Sequence, residues 1–133
     1  MNSNKNFLVY KSSAGSGKTY TLVKEYLTIA LSDKSPERYK NILAITFTNK
    51  AAAEMKDRVT FYLKSFCQPN LLQNGEKLMF DNLCESIVIK EGQLQKRSFI
   101  MLQSILHNYS DFNITTIDKF ILKIIRSFSF DLQ

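Results

Sequence analysis

Apolar and polar positions along the chain alternate between short unbroken runs and stripes at helical spacing. The run Phe7, Leu8, Val9, Tyr10 predicts a strand. Leu22, Val23, Tyr26, Leu27 and Ala30 then recur at the three- and four-residue spacing of an amphipathic helix, predicted over Thr19 to Leu31 and ended by Asp33, Ser35 and Pro36. Ile42 to Phe47 is almost continuously apolar and rich in β-formers, as expected of a strand covered on both faces in a parallel sheet. Strand, helix and strand within this length predict one right-handed crossover unit.

A second helix follows, with Thr48 or Asn49 as its cap and Ala52, Met55, Val59, Tyr62 or Leu63, and Phe66 as its buried stripe. Glu54 and Arg58, one turn apart, predict an ion pair on its solvated side. Pro69 and Asn70 predict a break. From Leu71 to Tyr109 the pattern is helical, with polar turns expected at Asn74–Gly75 and Glu91–Gly92. One stripe there is Leu83, Ile87 and Val88, and another is Phe99, Leu102, Ile105 and Leu106. Asn113 to Thr116 predicts a short third strand, and Phe120, Ile121, Ile124, Ile125 and Phe128 mark a final helix.

The chemistry lies first at Ser12 to Thr19, SSAGSGKT, between the first strand and the first helix. The pattern GxxxxGK(S/T) is matched except that Ser12 stands where the first glycine is expected. Gly15 and Gly17 carry no Cβ, so the backbone is free to bring several N–H groups onto an anion. Lys18 supplies a mobile cation for the β- and γ-phosphates of a nucleoside triphosphate, and Thr19 a hydroxyl for its Mg²⁺. The positive end of the following helix points at the same anion. The candidate nucleotide-binding residues are Ser13, Ala14, Gly15, Ser16, Gly17, Lys18, Thr19 and Tyr20, with Lys18 and Thr19 closest to the chemistry. ATP and Mg²⁺ are the expected ligands. The competing reading is a plain Gly/Ser turn with a solvated lysine.

Composition narrows the class. The chain has 133 residues, enough for one domain, with 44% hydrophobic and 23% charged residues, as in ordinary globular proteins. No apolar run approaches the ~20 residues of a membrane span, and the N-terminal apolar stretch is too short for a secretory signal, so a cytoplasmic protein is expected. A net charge of +6 favours polyanionic partners. Cys67 and Cys84 are far apart and His107 is the lone histidine, which argues against zinc and iron–sulfur sites and for two buried thiols. There is no internal repeat and no low-complexity tract.

Two further segments extend the picture. ILAITFTNKAAAEMKDRV, from Ile42 to Val59, resembles motif Ia of superfamily-one DNA helicases of the UvrD/Rep type. ITTIDKFILKIIRSF, from Ile114 to Phe128, resembles their later TxxSF-like motif, particularly in the RecB and AddA branch, whose phosphate loop commonly reads ASAGSGKT. Order and spacing agree along nearly the whole chain except the helical middle. The resemblance implies a P-loop, RecA-like α/β fold with a parallel sheet, flanking helices and a helical insertion at residues 67–110. It implies the N-terminal part of the first motor domain of an ATP-dependent helicase, and contacts to single-stranded or double-stranded DNA through Phe47, Thr48 and Asn49, with Thr116 and Phe120 in the same track and Lys50 adding charge. An aromatic face stacks on any base, and hydroxyls at a helix start hold phosphate oxygens. Packing in the core for Phe47, and capping alone for Thr48 or Asn49, are the competing readings. Lys119 and Asp118 stand where many relatives place serine and histidine or aspartate, respectively, so no DNA contact is carried over to Lys119. A helicase–nuclease complex partner is also implied.

An ATPase of this kind needs an apolar strand ending in Asp–Glu to hold Mg²⁺ and orient water, and the sequence has none. The expectation is therefore an incomplete domain that ends before its catalytic acids, binds nucleotide weakly and hydrolyses it negligibly. Two other functions stay open: a small P-loop phosphotransferase, and a non-catalytic nucleic-acid-binding module in which Lys18 is idle.

Overall fold

The computed structural model describes residues 16–131, and side chains within 18–129. The predicted strand Phe7–Tyr10 and the loop residues Ser12, Ser13, Ala14 and Gly15 lie outside the described residues. Helix α1 spans Ser16–Ala30, so helical structure begins three residues before Thr19. Its apolar stripe is buried as the periodicity predicts, with Val23, Leu27, Ala30 and Leu31 wholly inaccessible. The Arg97 guanidinium donates to the Leu31 carbonyl at 2.9 Å, satisfying an acceptor just beyond the end of the helix.

A 3₁₀ turn at Arg38–Asn41 leads into strand β1, Ala44–Thr46. The strand is shorter than the apolar run because the Ile42 N–H closes the 3₁₀ turn on the Tyr39 carbonyl, while Phe47 turns outward before the next helix. Helix α2, Asn49–Phe66, takes Thr48 as its cap: the residue is extended and its hydroxyl accepts from the Ala51 N–H at 3.1 Å. The buried stripe is Ala52, Met55, Val59, Leu63 and Phe66, with Tyr62 at its margin, and the Glu54–Arg58 pair forms at 2.9 Å.

Pro69–Leu71 forms a 3₁₀ turn where a break is predicted. The two polar turns are corrected. Asn74–Gly75 and Glu91–Gly92 are the first residues of helices α3, Asn74–Ile87, and α4, Glu91–His107. In each the polar residue two beyond that pair's start secures the entry: the Glu76 carboxylate accepts from the Gln73 N–H, and the Gln93 amide oxygen from the Lys90 N–H. The real break is Val88, left-handed at φ 61° and 85% exposed, so it leaves the predicted stripe. A β-branched residue rarely adopts this conformation, so nothing local announces it. The buried face of α4 is Leu94, Ser98, Met101 and Ile105, whereas Phe99 and Leu106 are exposed. Packing on α2 selects this face, with small Ser98 at its centre.

Strand β2, Ile114–Thr116, lies parallel to β1, with Ala44 opposite Ile114 and Thr46 opposite Thr116. The architecture is thus a helix-rich α/β arrangement around a two-stranded parallel sheet among the described residues; a larger P-loop sheet is not seen there. Edge-to-face ring contacts tie its parts, Phe66 to Phe80 at 5.3 Å and Phe112 to both Tyr26 and Tyr39. Helix α5, Ile117–Asp131, follows without a loop, because the Thr116 hydroxyl accepts from the Lys119 N–H at 3.2 Å. Its apolar stripe is not buried: Ile121, Ile124, Ile125 and Phe128 are all exposed, Phe128 at 64%. Cys67 and Cys84 are free and half-buried rather than buried, and burial raises the pKa of both thiols.

Candidate functional site

Two groups of residues carry the candidate chemistry, and they occupy different parts of the molecule. The first is the start of α1. Ser16, Gly17, Lys18 and Thr19 form its first turn, which contains no acidic residue. Backbone N–H groups point outward along the axis at a helix start, and the helix dipole adds positive potential there. Lys18 is exposed and Thr19 half-buried. The turn therefore fits an anion with a cation and a hydroxyl beside it, the donor set that a triphosphate and its Mg²⁺ require. Ser13, Ala14 and Gly15 lie outside the described residues. Tyr20 is packed against the core with its hydroxyl buried, and it neighbours Tyr62: the Tyr62 phenol is pushed up first by burial and then by Tyr20.

The second group is the carboxyl edge of the sheet. Phe47 is 77% exposed, so its ring is not a core ring. Thr46 just before it is tied down, its hydroxyl donating to the Thr48 carbonyl at 3.1 Å and lying 3.4 Å from the Thr115 carbonyl. Thr48, Asn49 and Lys50 are exposed at the start of α2, with the Thr48 hydroxyl engaged as the cap. Thr116 is 4% exposed, and its hydroxyl is engaged at the start of α5. Phe120 is half-buried.

Asn49, Thr116 and Phe120 come together in one cleft of about 740 Å³ between α2, β2 and α5. Phe47 and Thr48 stand outside it, as do Lys18, Thr19 and Tyr20. Tyr62, the neighbour of Tyr20, is fourteen residues beyond Thr48, about 21 Å along α2.

Sequence reasoning does not single out Lys56 and Lys123, which line the cleft with Lys119. Lys56 stands over the Tyr109 ring with its ammonium 5.1 Å from the centroid. The four-residue spacing of Lys119 and Lys123 is the signal that places both on one side of α5. Among the described residues no group of His, Cys, Asp and Glu is arranged to hold a metal ion, and no helix is long and apolar enough to cross a membrane.

The chain is similar to several larger proteins. It is 31% identical over 126 residues, 95% of its length, to an ATP-dependent helicase/nuclease subunit from Bacillus cytotoxicus. It is 33% identical over 120 residues, 90% of its length, to the protein of the same name from Clostridium kluyveri, and 41% identical over 100 residues, 67% of its length, to that of Carboxydothermus hydrogenoformans. It spans 8% of the first two relatives and 9% of the third. No solved structure matches it. The match to the UvrD/REP helicase N-terminal domain extends over residues 1–133, taking in the glycine loop, the Phe47 edge and the final helix alike, and the chain belongs to that family.

Proposed function

We propose that this chain is the ATP-binding portion of an ATP-dependent DNA helicase, the N-terminal part of its first motor domain, working in the cytoplasm within a longer protein that couples ATP hydrolysis to single-strand translocation and unwinding in DNA repair or recombination. Residues 67–110 form its helical insertion, and a nuclease-bearing partner or domain completes the machine, in keeping with the names of the relatives. ATP supplies the anhydride whose cleavage drives the motor, and Mg²⁺ screens its phosphates. Within this chain, the N–H groups from Ser13 to Thr19 cradle the phosphates, Lys18 holds the terminal oxygens and Thr19 presents its hydroxyl to the Mg²⁺, with Tyr20 packing the first turn in place.

Single-stranded DNA crosses the sheet edge. The observation that carries this is the Phe47 ring, 77% exposed just beyond the half-buried strand β1. Leaving a large apolar ring in water offers nothing to the fold, whereas it offers a base a stacking platform worth roughly 1–3 kcal/mol. Thr48 and Asn49 flank that ring at a helix start, where hydroxyl, amide and backbone N–H groups meet phosphate oxygens, and half-buried Phe120 in the cleft continues the track, with buried Thr116 holding the start of α5 beside it. The catalytic acids being absent from this sequence, the chain alone binds nucleotide weakly and hydrolyses it negligibly.

Titration of a fluorescent dT oligomer at several salt concentrations tests the DNA reading. Affinity falls as salt rises, and Phe47→Ala weakens it by about 5- to 150-fold at fixed salt without altering the unfolding midpoint. Equal affinity of the variant and the wild type refutes the placement of DNA on this edge.

A further inference from the structure

We propose that Arg97 of α4 is a positioning residue for the nucleotide site: by gripping the far end of α1 it sets where the start of that helix, and with it Lys18 and Thr19, meets the phosphates. The inference rests on the triphosphate reading of α1 proposed above. The Leu31 N–H donates to the Leu27 carbonyl at 2.9 Å, so Leu31 continues the hydrogen-bond pattern of α1 one residue beyond Ala30. The carbonyls of a helix's last turn need partners from outside it, and for Leu31 the partner is the Arg97 guanidinium, 66 residues away in sequence, donating at 2.9 Å. Helix α1 has no basic residue in its own last turn, so Arg97 brings from α4 a cation suited to the negative end of the helix dipole. Seven residues further along the same face of α4, the Ser104 carbonyl accepts from the hydroxyl of wholly buried Tyr39 at 2.9 Å. Helix α4 thus holds both ends of the connection from α1 toward β1, Leu31 at one and Tyr39 at the other.

Apolar packing and the Arg97 bond do different work on α1. Burial of Val23, Leu27 and Ala30 decides which face of the helix goes inside, but the hydrophobic effect is non-directional and leaves the tilt of the axis to directional contacts. A helix of 15 residues is about 22 Å long, so a tilt of about 5° about its last turn carries its first turn through about 2 Å. Good N–H···O hydrogen bonds span a range of only about 0.5 Å in length. A bond made at Leu31 therefore bears on the contacts made at Lys18. In this way α4, which carries no candidate chemistry of its own, takes part in nucleotide binding from the opposite end of the helix.

The test compares Arg97→Ala, Arg97→Lys and Tyr39→Phe in the 133-residue chain, with Thr48→Ala as a control that loses a cap at the start of α2 instead. In Mg·ATP titration Arg97→Ala binds about 3- to 10-fold more weakly than the wild type, because the Lys18 contact is displaced rather than removed. Arg97→Lys keeps a cation in reach of the carbonyl and recovers part of the loss, and Thr48→Ala binds as the wild type does. Tyr39→Phe keeps the ring and loses only the second tie; it shows a smaller loss of the same kind and serves if Arg97→Ala disturbs folding. A dT oligomer binds the wild type and Arg97→Ala alike. Without nucleotide, Arg97→Ala shifts the amide resonances of Lys18 and Thr19 together with those of residues 30–33. Equal ATP affinity of the wild type and Arg97→Ala, an equal loss in Thr48→Ala, or a resonance change confined to residues 30–33 overturns the proposal and leaves the triphosphate reading standing. Absence of ATP binding to the folded wild type overturns that reading and the proposal with it.

Discussion

Replacing Thr48 by Ala isolates the device that ends β1 and starts α2. The Thr48 hydroxyl accepts from the Ala51 N–H at 3.1 Å, while the Thr48 carbonyl accepts independently from the Ala52 N–H and from the Thr46 hydroxyl, each at 3.1 Å. Alanine removes the first bond and leaves the other two. Thr48 is exposed, so water takes over part of the vacated donor, and the expected loss sits mid-range for a cap, about 1 kcal/mol. For a chain of this size that is a fall of roughly 3–6 °C in Tm, or about 0.5 M in the urea midpoint at unchanged slope. Thr48→Ser retains the acceptor and stays within about 0.3 kcal/mol of the wild type. Urea unfolding followed by circular dichroism distinguishes these outcomes. If Ala is as stable as Thr, or Ser as costly as Ala, the hydroxyl is not what holds the helix start.

Other expectations follow from the same geometry. The Tyr26 hydroxyl is buried with no hydrogen-bond partner among the described residues, so Tyr26→Phe raises stability by about 1 kcal/mol in chemical denaturation; a loss instead shows that the hydroxyl is satisfied. Burial pushes the Tyr26 phenol far above its ordinary value. The folded state therefore keeps its proton where the unfolded state releases it, and stability falls as pH rises past about 10, less steeply in Tyr26→Phe. Helix α5 exposes Ile125 at 54% and Phe128 at 64%; replacing both by Lys leaves the unfolding free energy from urea titration within about 0.5 kcal/mol of the wild type and lowers self-association in sedimentation. A large drop in the midpoint places that face inside the fold.

How far the sequence speaks depends on where each signal comes from. Helix α2 is legible because Thr48 and the Ala52 to Phe66 stripe are local and agree with one another. The runs that become β1 and β2 are legible as short β-prone segments, but their adjacency in the sheet is not, because strands separated by several helices carry no local mark of which neighbours pair. Helix α4 is harder: apolar residues at Phe99, Ile100, Met101 and Leu102 ring the helix, and contact with α2, a tertiary event, decides that Met101 goes inside while Phe99 stays out. The Asn–Gly and Glu–Gly pairs mislead because turn residues are equally at home in the first turn of a helix, once Glu76 or Gln93 secures the entry. In α5 the periodicity is legible but its burial is not, because the apolar stripe marks a face that wants a partner without saying where the partner lies. At the candidate sites, residue types are readable and relative placement is not. The exposure of Phe47 and the cleft uniting Asn49, Thr116 and Phe120 both depend on the sheet register.

The account rests on triphosphate recognition at the start of α1, and calorimetric titration of Mg·ATP into the folded chain, wild type and Lys18→Ala, tests it directly. Lys18 contributes a charge-assisted contact of about 1.5–3 kcal/mol, so the wild type binds and the variant binds about 10- to 150-fold more weakly. Absence of binding to the folded wild type, or equal affinity in the two proteins, contradicts it.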